Sequence, residues 1–506
     1  MRTKLALKNT ITSLILQLVL ALSGFIIPRF FTELYGSSMN GLVNSISQFI
    51  SYINLVEAGI SASVIVSLYK PIAENDTSQI NRILAAAKKF YRKSGFLFLL
   101  LVGLLIVVYP YVIKNEISNS TFIRMMIFVL SISGLVDYFI LGKYRVLLQA
   151  DQRSYVISYA QIIGTVIMTI VSIIQIKLEC SALAVKFTAA SIYILRSLIV
   201  VFYARRKYKY LNFNVKPDNS SMNRRWPALI HQIAGMITTN TDMLLLTLMV
   251  KTNALIQVSI YSTYNLVSYA LINLMNSFTS GLTSSFGQVI SQEDHESLKR
   301  NFSIYEFAFF IIIFIVYSCM GILLYSFIYL YTKSYSDANI YLNWNYVLLF
   351  TIVGIIQSIR QPALTIICAA GHYKETQYRA ILEAFLNLSV SLFLVGKLGI
   401  SGVLIGTIVS FSYRSLDVIF YNNKYLISKT LKNTINRLLR NVIVFVIVMV
   451  FFKTISYNVI SWGGWFIYAI ITAVVSSVLI IGVNFLFERE LFMSIIKRGL
   501  RIVKKN

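Results

Sequence analysis

Residues 94–113 read SGFLFLLLVGLLIVVYPYVI, a run of twenty residues without a charged side chain. About 20 apolar residues in a helix are enough to cross the hydrocarbon core of a bilayer. Only segments that bond their own backbone groups are tolerated there, so such runs predict helices. Similar runs recur along the chain and predict about 14 transmembrane spans, numbered in order at residues 10–32, 40–69, 94–113, 122–148, 155–176, 182–203, 227–250, 257–290, 302–330, 341–370, 378–396, 400–421, 441–457 and 464–487.

The composition supports an all-α polytopic membrane protein. Of 506 residues, 57% are hydrophobic and 13% are charged, whereas soluble domains average about 25% charged residues. This excludes an ordinary soluble enzyme. The three cysteines have no CxxC spacing, the histidines are scattered and no P-loop occurs, so we predict no catalytic residues, no metal site and no enzymatic activity.

The charge is strongly basic, with 46 Lys+Arg against 20 Asp+Glu and a net charge of +26. If the N-terminus is cytoplasmic, roughly 34 of the 46 cations fall in cytoplasmic segments, a strong positive-inside signal. We therefore expect both termini in the cytoplasm. We also expect an uncleaved first helix, because apolar sequence continues to Phe31 and another span follows soon after. Contact between the basic loops and anionic lipids accounts for this charge, so nucleic acid is not a predicted partner.

The chain also contains a weak internal repeat at an offset of about 218 residues. Residues 41–52 align with residues 259–270, and Arg196 and Arg414 open the same Arg-Ser-Leu triplet. Asp417, three residues after Arg414, is placed for a local ion pair. The repeat predicts two six-helix lobes related by a pseudo-two-fold axis along the membrane normal, with substrate bound between them. The predicted divisions are an N-terminal lobe at 1–210, a cytoplasmic linker at 211–226, a C-terminal lobe at 227–425, and spans 13 and 14 with a basic tail at 426–506.

Charged residues within the spans are the main functional candidates, because each costs about 2.5–3.5 kcal/mol at mid-membrane. The cationic candidates are Arg29, Arg196, Arg360 and Lys186. Together they predict a cationic cavity for an anionic headgroup, since the arginine fork can bind phosphate oxygens in a bidentate manner. Alternatively, Arg29 anchors its helix at the interface and Lys186 extends to the outer surface.

The acidic candidates in mid-span are Glu57, Asp137 and Asp242. They could bind Na⁺ or a proton, or form salt bridges that switch during transport, and a permanent ion pair is an equally open alternative. Glu306 and Glu383 are expected in the first turns of their helices, where the helix dipole favours them as structural residues. No organic cofactor is predicted, and the candidate driving forces are Na⁺, H⁺ and the membrane potential.

Two short motifs resemble the opening of the prokaryotic polysaccharide exporters, the Wzx-type flippases of the multidrug/oligosaccharidyl-lipid/polysaccharide (MOP) superfamily. They are IPRFFTELYG at 27–36, followed by Gly41, and EAGISA at 57–62. In that family an Asp usually opens the second motif, whereas Glu57 opens it here. The resemblance implies a V-shaped fold of two lobes with alternating access, and it implies that Arg29 contacts the substrate headgroup.

The same resemblance implies the substrate and the location. The expected substrate is an undecaprenyl-pyrophosphate-linked oligosaccharide repeat unit, moved from the inner to the outer leaflet of the bacterial cytoplasmic membrane for capsule, exopolysaccharide or O-antigen synthesis. The protein partners that this implies are a polysaccharide polymerase and a chain-length regulator.

Three alternatives stay open at this point. A lipid II flippase would share the 14 spans and the cationic cavity. A multidrug extruder usually has 12 spans and binds cations, for which several arginines are unsuited. A membrane polymerase or glycosyltransferase would normally show a long outer loop or an acidic catalytic cluster, and the sequence shows neither.

Overall fold

The computed structural model describes residues 2–57, 60–218, 225–280, 282–292, 294–428, 430–454 and 459–505. These residues form helices and connecting turns, with no strand among them. Eleven of the described helices are long and apolar enough to cross a membrane. The predicted all-α polytopic architecture is therefore confirmed.

The helices group into two compact units, Met1–Ser259 and Ile260–Asn506. Unit 1 contains α1 (Arg2–Tyr35), α2 (Ser37–Ile53), α3 (Ile60–Glu74), α4 (Thr77–Val112), α5 (Ser120–Val136), α6 (Gly142–Ala150), α7 (Ser154–Lys177), α8 (Ala182–Lys207), α9 (Arg225–Met249) and the start of α10 (Ala254–Ser280). Unit 2 contains the rest of α10, then α11 (Leu282–Ser291), α12 (His295–Thr332), α13 (Trp344–Ile359), α14 (Gln361–Ala369), α15 (Tyr373–Leu398), α16 (Ile400–Tyr421), α17 (Leu431–Thr454), α18 (Trp462–Phe487) and α19 (Arg489–Lys505). Residues 219–224 of the predicted linker lie outside the described part.

A single glycine joins the first two helices of unit 1. Gly36 has φ 81° and ψ 167°, a backbone region that is essentially restricted to glycine. This explains the Tyr-Gly pair in the first motif, because α1 can turn directly into α2 only at such a residue. The preceding Tyr35 donates a hydrogen bond to the backbone carbonyl of Cys180, which joins the end of α1 to the turn before α8.

The predicted second span, 40–69, is not one continuous helix. α2 ends at Ile53, a 3₁₀ turn covers Asn54–Glu57, and α3 begins at Ile60; Ala58 and Gly59 of the second motif lie outside the described residues. The fourth span is also irregular, because a π-helical turn at Asp137–Leu141 separates α5 from α6. The Tyr138 hydroxyl donates to the carbonyl of Asn54 at 3.2 Å, so these two irregular segments lie side by side. Such π turns frequently occur at functional sites.

Candidate functional site: two intramembrane charge clusters

The irregular segments of unit 1 bring two acidic residues to one arginine. Arg145, on α6, lies 2.7 Å from a Glu57 oxygen and 3.3 Å from an Asp137 oxygen. The three side chains are only 19–23% exposed. Glu57 closes the 3₁₀ turn and Asp137 opens the π turn, so both carboxylates depend on breaks in regular helix. We call Glu57, Asp137 and Arg145 the unit 1 cluster.

Hydroxyl groups also donate hydrogen bonds to these two carboxylates. Ser61 donates to Glu57 at 2.5 Å, and Tyr91 donates to the same oxygen at 3.3 Å. Tyr193, on α8, donates to the second oxygen of Asp137 at 2.9 Å. Hydrogen bonds to charged groups are stronger than neutral ones, so these donors stabilise the ionised carboxylates.

Arg196 lies next to the unit 1 cluster but does not join its ion pairs. Its guanidinium lies over the Tyr193 ring, 4.2 Å from the ring centroid. Its aliphatic stem packs against Gly164. A Cβ added to this glycine would lie only 2.8 Å from the Arg196 Cδ, so the close contact requires glycine. Among the described residues, no carboxylate lies within 4 Å of this guanidinium. The contacts with Tyr193 and Gly164 therefore hold the Arg196 side chain in place.

The other predicted residues of unit 1 lie on α1, α8 and α9. Arg29 is half-buried on α1 directly after Pro28, which does not interrupt the helix. The Lys186 ammonium lies over the buried Phe31 ring, 4.4 Å from its centroid. Asp242 is buried on α9. The structure thus brings Glu57 and Asp137 together and places Asp242 on a different helix.

Unit 2 holds a second cluster, in which arginines outnumber acids. Arg360 pairs with Glu383 at 2.5 Å, and the same carboxylate lies 3.6 Å from Arg414. Asp417 pairs with Arg414 at 2.8 Å and with Arg379 at 2.6 Å. We call these five residues the unit 2 cluster. Its three guanidinium groups share two carboxylates, which leaves one positive charge in excess.

The unit 2 cluster tests the predictions made for the Arg414–Asp417 pair and for Glu383. The Arg414–Asp417 pair is confirmed. The expected position of Glu383 in a first turn is wrong, because α15 begins at Tyr373, almost three turns earlier. Glu383 is a central carboxylate of the cluster, with an 8% exposed side chain. Arg360, at the junction of α13 and α14, also packs on the Phe411 ring, 4.5 Å from its centroid.

The fold of the whole chain is similar to that of solved transporters. A structure described as the lipid II flippase MurJ in an inward closed conformation matches 96% of this chain and 99% of its own, with 14% identity and a TM-score of 0.69. An inward-facing multidrug resistance MATE family transporter of the MOP superfamily matches 81% of this chain and 94% of its own, with 12% identity and a TM-score of 0.60. A MOP superfamily transporter from Pyrococcus furiosus matches 84% of this chain and 97% of its own, with 12% identity and a TM-score of 0.55. The chain shares the fold of these transporters. No family model and no curated protein matches its sequence.

Unit 2 also contains a buried ion-pair network near its C-terminal helices. Arg437, 3% exposed, lies 2.7 Å from Glu306 and 2.6 Å from Glu488, and Arg440 lies 2.9 Å from Glu488. Burial raises the pKa of Glu488, but the two arginines outweigh it and hold that pKa below its ordinary value. The expected position of Glu306 in a first turn is wrong, because α12 begins about three turns earlier at His295.

The sequence pattern does not single out Arg145 and Arg437 as partners of intramembrane acids. Each lies near the end of an apolar run, where a cation is ordinarily part of a cytoplasmic loop. A spacing signal was available for Arg145: it follows Asp137 by eight residues, about two helical turns, so the two side chains share a face. For Arg437 the partners lie on α12 and beside α18, and nothing local in the sequence indicates them.

Proposed function

We propose that this protein is a flippase that moves undecaprenyl-pyrophosphate-linked oligosaccharide repeat units from the inner to the outer leaflet by alternating access, for capsule, exopolysaccharide or O-antigen synthesis. Two observations support this proposal: the excess positive charge of the unit 2 cluster, and Arg196 of unit 1, which has no carboxylate within 4 Å among the described residues. A pyrophosphate is an anion, and guanidinium groups bind its oxygens with directed hydrogen bonds. A transporter of cationic drugs would gain nothing from this excess.

The extent of the structural match favours a lipid-linked substrate over a drug. A match to 96% of 506 residues omits only about 20 of them, so it must include most of α17 to α19. The MATE match covers 81%. Both α17 and α18 expose many apolar side chains, including Val446, Ile447, Phe466 and Ile470. These two helices offer apolar surface to a long polyprenyl tail.

The energetics fit this substrate. A pyrophosphate diester carries about two negative charges, and a negative-inside potential favours its outward movement by about 2.3 kcal/mol per charge per 100 mV. The main cost is desolvation of the sugars and phosphates, which a polar site reduces. In this proposal Glu57 and Asp137 accept Na⁺ or a proton when Arg145 leaves them, which couples the ion to the cycle. The basic loops bind anionic lipids, and a polymerase and chain-length regulator receive the product.

The test is loss of export without loss of insertion. We expect Arg29→Ala and Arg360→Ala each to abolish polysaccharide export in cells while the protein still reaches the membrane at normal levels. Lys397→Ala is the matched control, because it removes one exposed cation at the end of α15 and should leave export unchanged. Normal polysaccharide output from both arginine variants would contradict the proposal that these cations bind the substrate headgroup.

A second candidate, a lipid II flippase, is favoured by the match to a structure of that description. Complementation separates the two. If the chain restores growth to cells depleted of their lipid II flippase but does not restore polysaccharide to cells that lack their exporter, the second candidate holds. The opposite pattern supports the function proposed above.

A further inference from the structure

Unit 1 contains a polar cleft where the chain folds back after α8. The cleft has a volume of about 400 Å³, and its lining includes Lys88, Tyr144, Arg205, Phe213 and Asn214. Its walls come from α4, α6, α8 and residues 208–214. On the predicted topology it opens on the cytoplasmic side.

Hydrogen bonds to the first turns of α4 hold the segment 208–218 in place. Asn81 donates to the carbonyl of Tyr210 at 2.9 Å and accepts from the backbone N–H of Asn212 at 3.1 Å. Gln79 donates to the Asp218 carboxylate at 2.8 Å. These bonds fix both ends of the segment, so the cleft is built by specific contacts.

Three cations from three different helices converge on the aromatic rings of this cleft. The Lys143 ammonium lies 5.2 Å from the Phe213 centroid, and that of Lys88 lies 5.9 Å from the same centroid. Lys88 also donates to the Asn214 side-chain oxygen at 3.5 Å. Arg205 donates from Nε to the Tyr144 hydroxyl at 2.9 Å, which leaves the terminal nitrogens of its guanidinium for another acceptor.

No carboxylate in the described part of the chain lies within 4 Å of Lys88, Lys143 or Arg205. The nearby Asp151 is already engaged, because it pairs with Arg153 at 2.7 Å and accepts from Tyr208 at 2.5 Å. Like charges that share a partly desolvated cleft repel one another. A bound anion would remove this repulsion, and cation–π contact with Phe213 offsets only part of it.

We propose that this cleft binds a phosphate group, carried either by an anionic lipid headgroup or by a soluble phosphate compound. Lys88, Lys143 and the lining residue Lys209 supply charge, and the Arg205 guanidinium supplies directed donors. Lys143 lies two residues from Arg145, so it projects from a different face of α6 than the unit 1 cluster does. The inference does not depend on the proposed function.

The experiment uses the purified full-length protein in an uncharged detergent. Inorganic pyrophosphate binding is measured by calorimetry, and phosphatidylglycerol binding is measured by native mass spectrometry against phosphatidylcholine. We expect Lys88→Gln/Lys143→Gln to weaken binding of one of these probes by about tenfold or more, because each lost cation removes a charge-assisted contact. Lys89→Gln is the matched control, since it removes the same charge from the neighbouring position on α4, outside the cleft.

The probe whose binding is lost identifies the source of the phosphate group. Loss of phosphatidylglycerol binding alone identifies a lipid headgroup, and loss of pyrophosphate binding alone identifies a soluble ligand. The double variant should lose the same binding when it is made in an Arg360→Ala background, which separates this cleft from the unit 2 cluster. If the double variant does not fold, Arg205→Gln replaces it, because Arg205 is exposed. Wild-type affinity for both probes in the cleft variants, or an equal loss in Lys89→Gln, would overturn the proposal.

Discussion

The unit 1 cluster allows a sharp test of whether its charges are permanent structural pairs or part of a transport cycle. Arg145→Ala leaves Glu57 and Asp137 without their shared cation, while both carboxylates stay about four-fifths buried. Breaking a fully buried pair costs about 3–5 kcal/mol. Because these groups are partly exposed and keep their Ser61 and Tyr193 donors, we expect a loss of about 3 kcal/mol.

The assay compares this variant with a fully neutral one. Glu57→Gln/Asp137→Asn/Arg145→Gln removes all three charges and keeps polar side chains of similar size, so most of the lost stability should return. Melting is followed by tryptophan fluorescence in detergent, and transport is followed by polysaccharide export in cells. We expect Arg145→Ala to be unstable and inactive, and the neutral variant to be stable and still inactive.

Two results would refute this reasoning. If Arg145→Ala melts at the wild-type temperature, the cluster does not contribute the stated free energy. If the neutral variant exports polysaccharide at the wild-type rate, the three charges form a permanent structural ion pair and have no role in coupling.

Two further predictions concern stability. Glu488→Gln should lower the free energy of unfolding by about 2 kcal/mol at pH 7, because Arg437 and Arg440 lose a charged partner. Since the folded-state pKa of Glu488 is depressed, its contribution is present above the ordinary pKa of about 4.3 and is lost as the pH falls below it. Wild-type and variant melting temperatures should therefore converge in acid, and a constant difference would contradict this assignment. Gly41→Ala should destabilise unit 1 by about 1–3 kcal/mol, because a Cβ there would overlap the Leu255 carbonyl. Gly103→Ala is the control, because a Cβ added to this helix glycine would meet nothing within 4 Å. It should melt at or above the wild-type temperature, and equal effects of the two variants would refute the steric argument.

Much of the fold could be predicted from sequence because hydrophobicity and length determine a transmembrane helix. The run at 94–113 lies almost entirely within the single helix α4, as its apolar character requires. The irregular segments could not be predicted. Residues 40–69 are apolar over much of their length. In the 3₁₀ turn at Asn54–Glu57, the Asn54 carbonyl accepts a hydrogen bond from Tyr138 of the π turn, 84 residues later in the sequence.

The candidate sites were predictable in part for a related reason. An intramembrane charge is rare enough to be noticed, so Glu57, Asp137 and Arg360 could be selected from sequence alone. Their partners are harder to find. The Glu57–Arg145 pair joins residues 88 positions apart, and the Arg360–Glu383 pair joins two separate helices. Such pairings follow from helix packing, which a single sequence does not specify.

The most direct test of the proposed function is flipping in a reconstituted membrane. Purified protein is placed in proteoliposomes with undecaprenyl-pyrophosphate-linked oligosaccharide, and the outer-leaflet fraction is followed with a membrane-impermeant reagent that modifies the sugar. We predict that wild type speeds transbilayer movement above protein-free liposomes and that Arg360→Ala does not. Movement no faster than in protein-free liposomes, or acceleration of lipid II alone, would contradict the account.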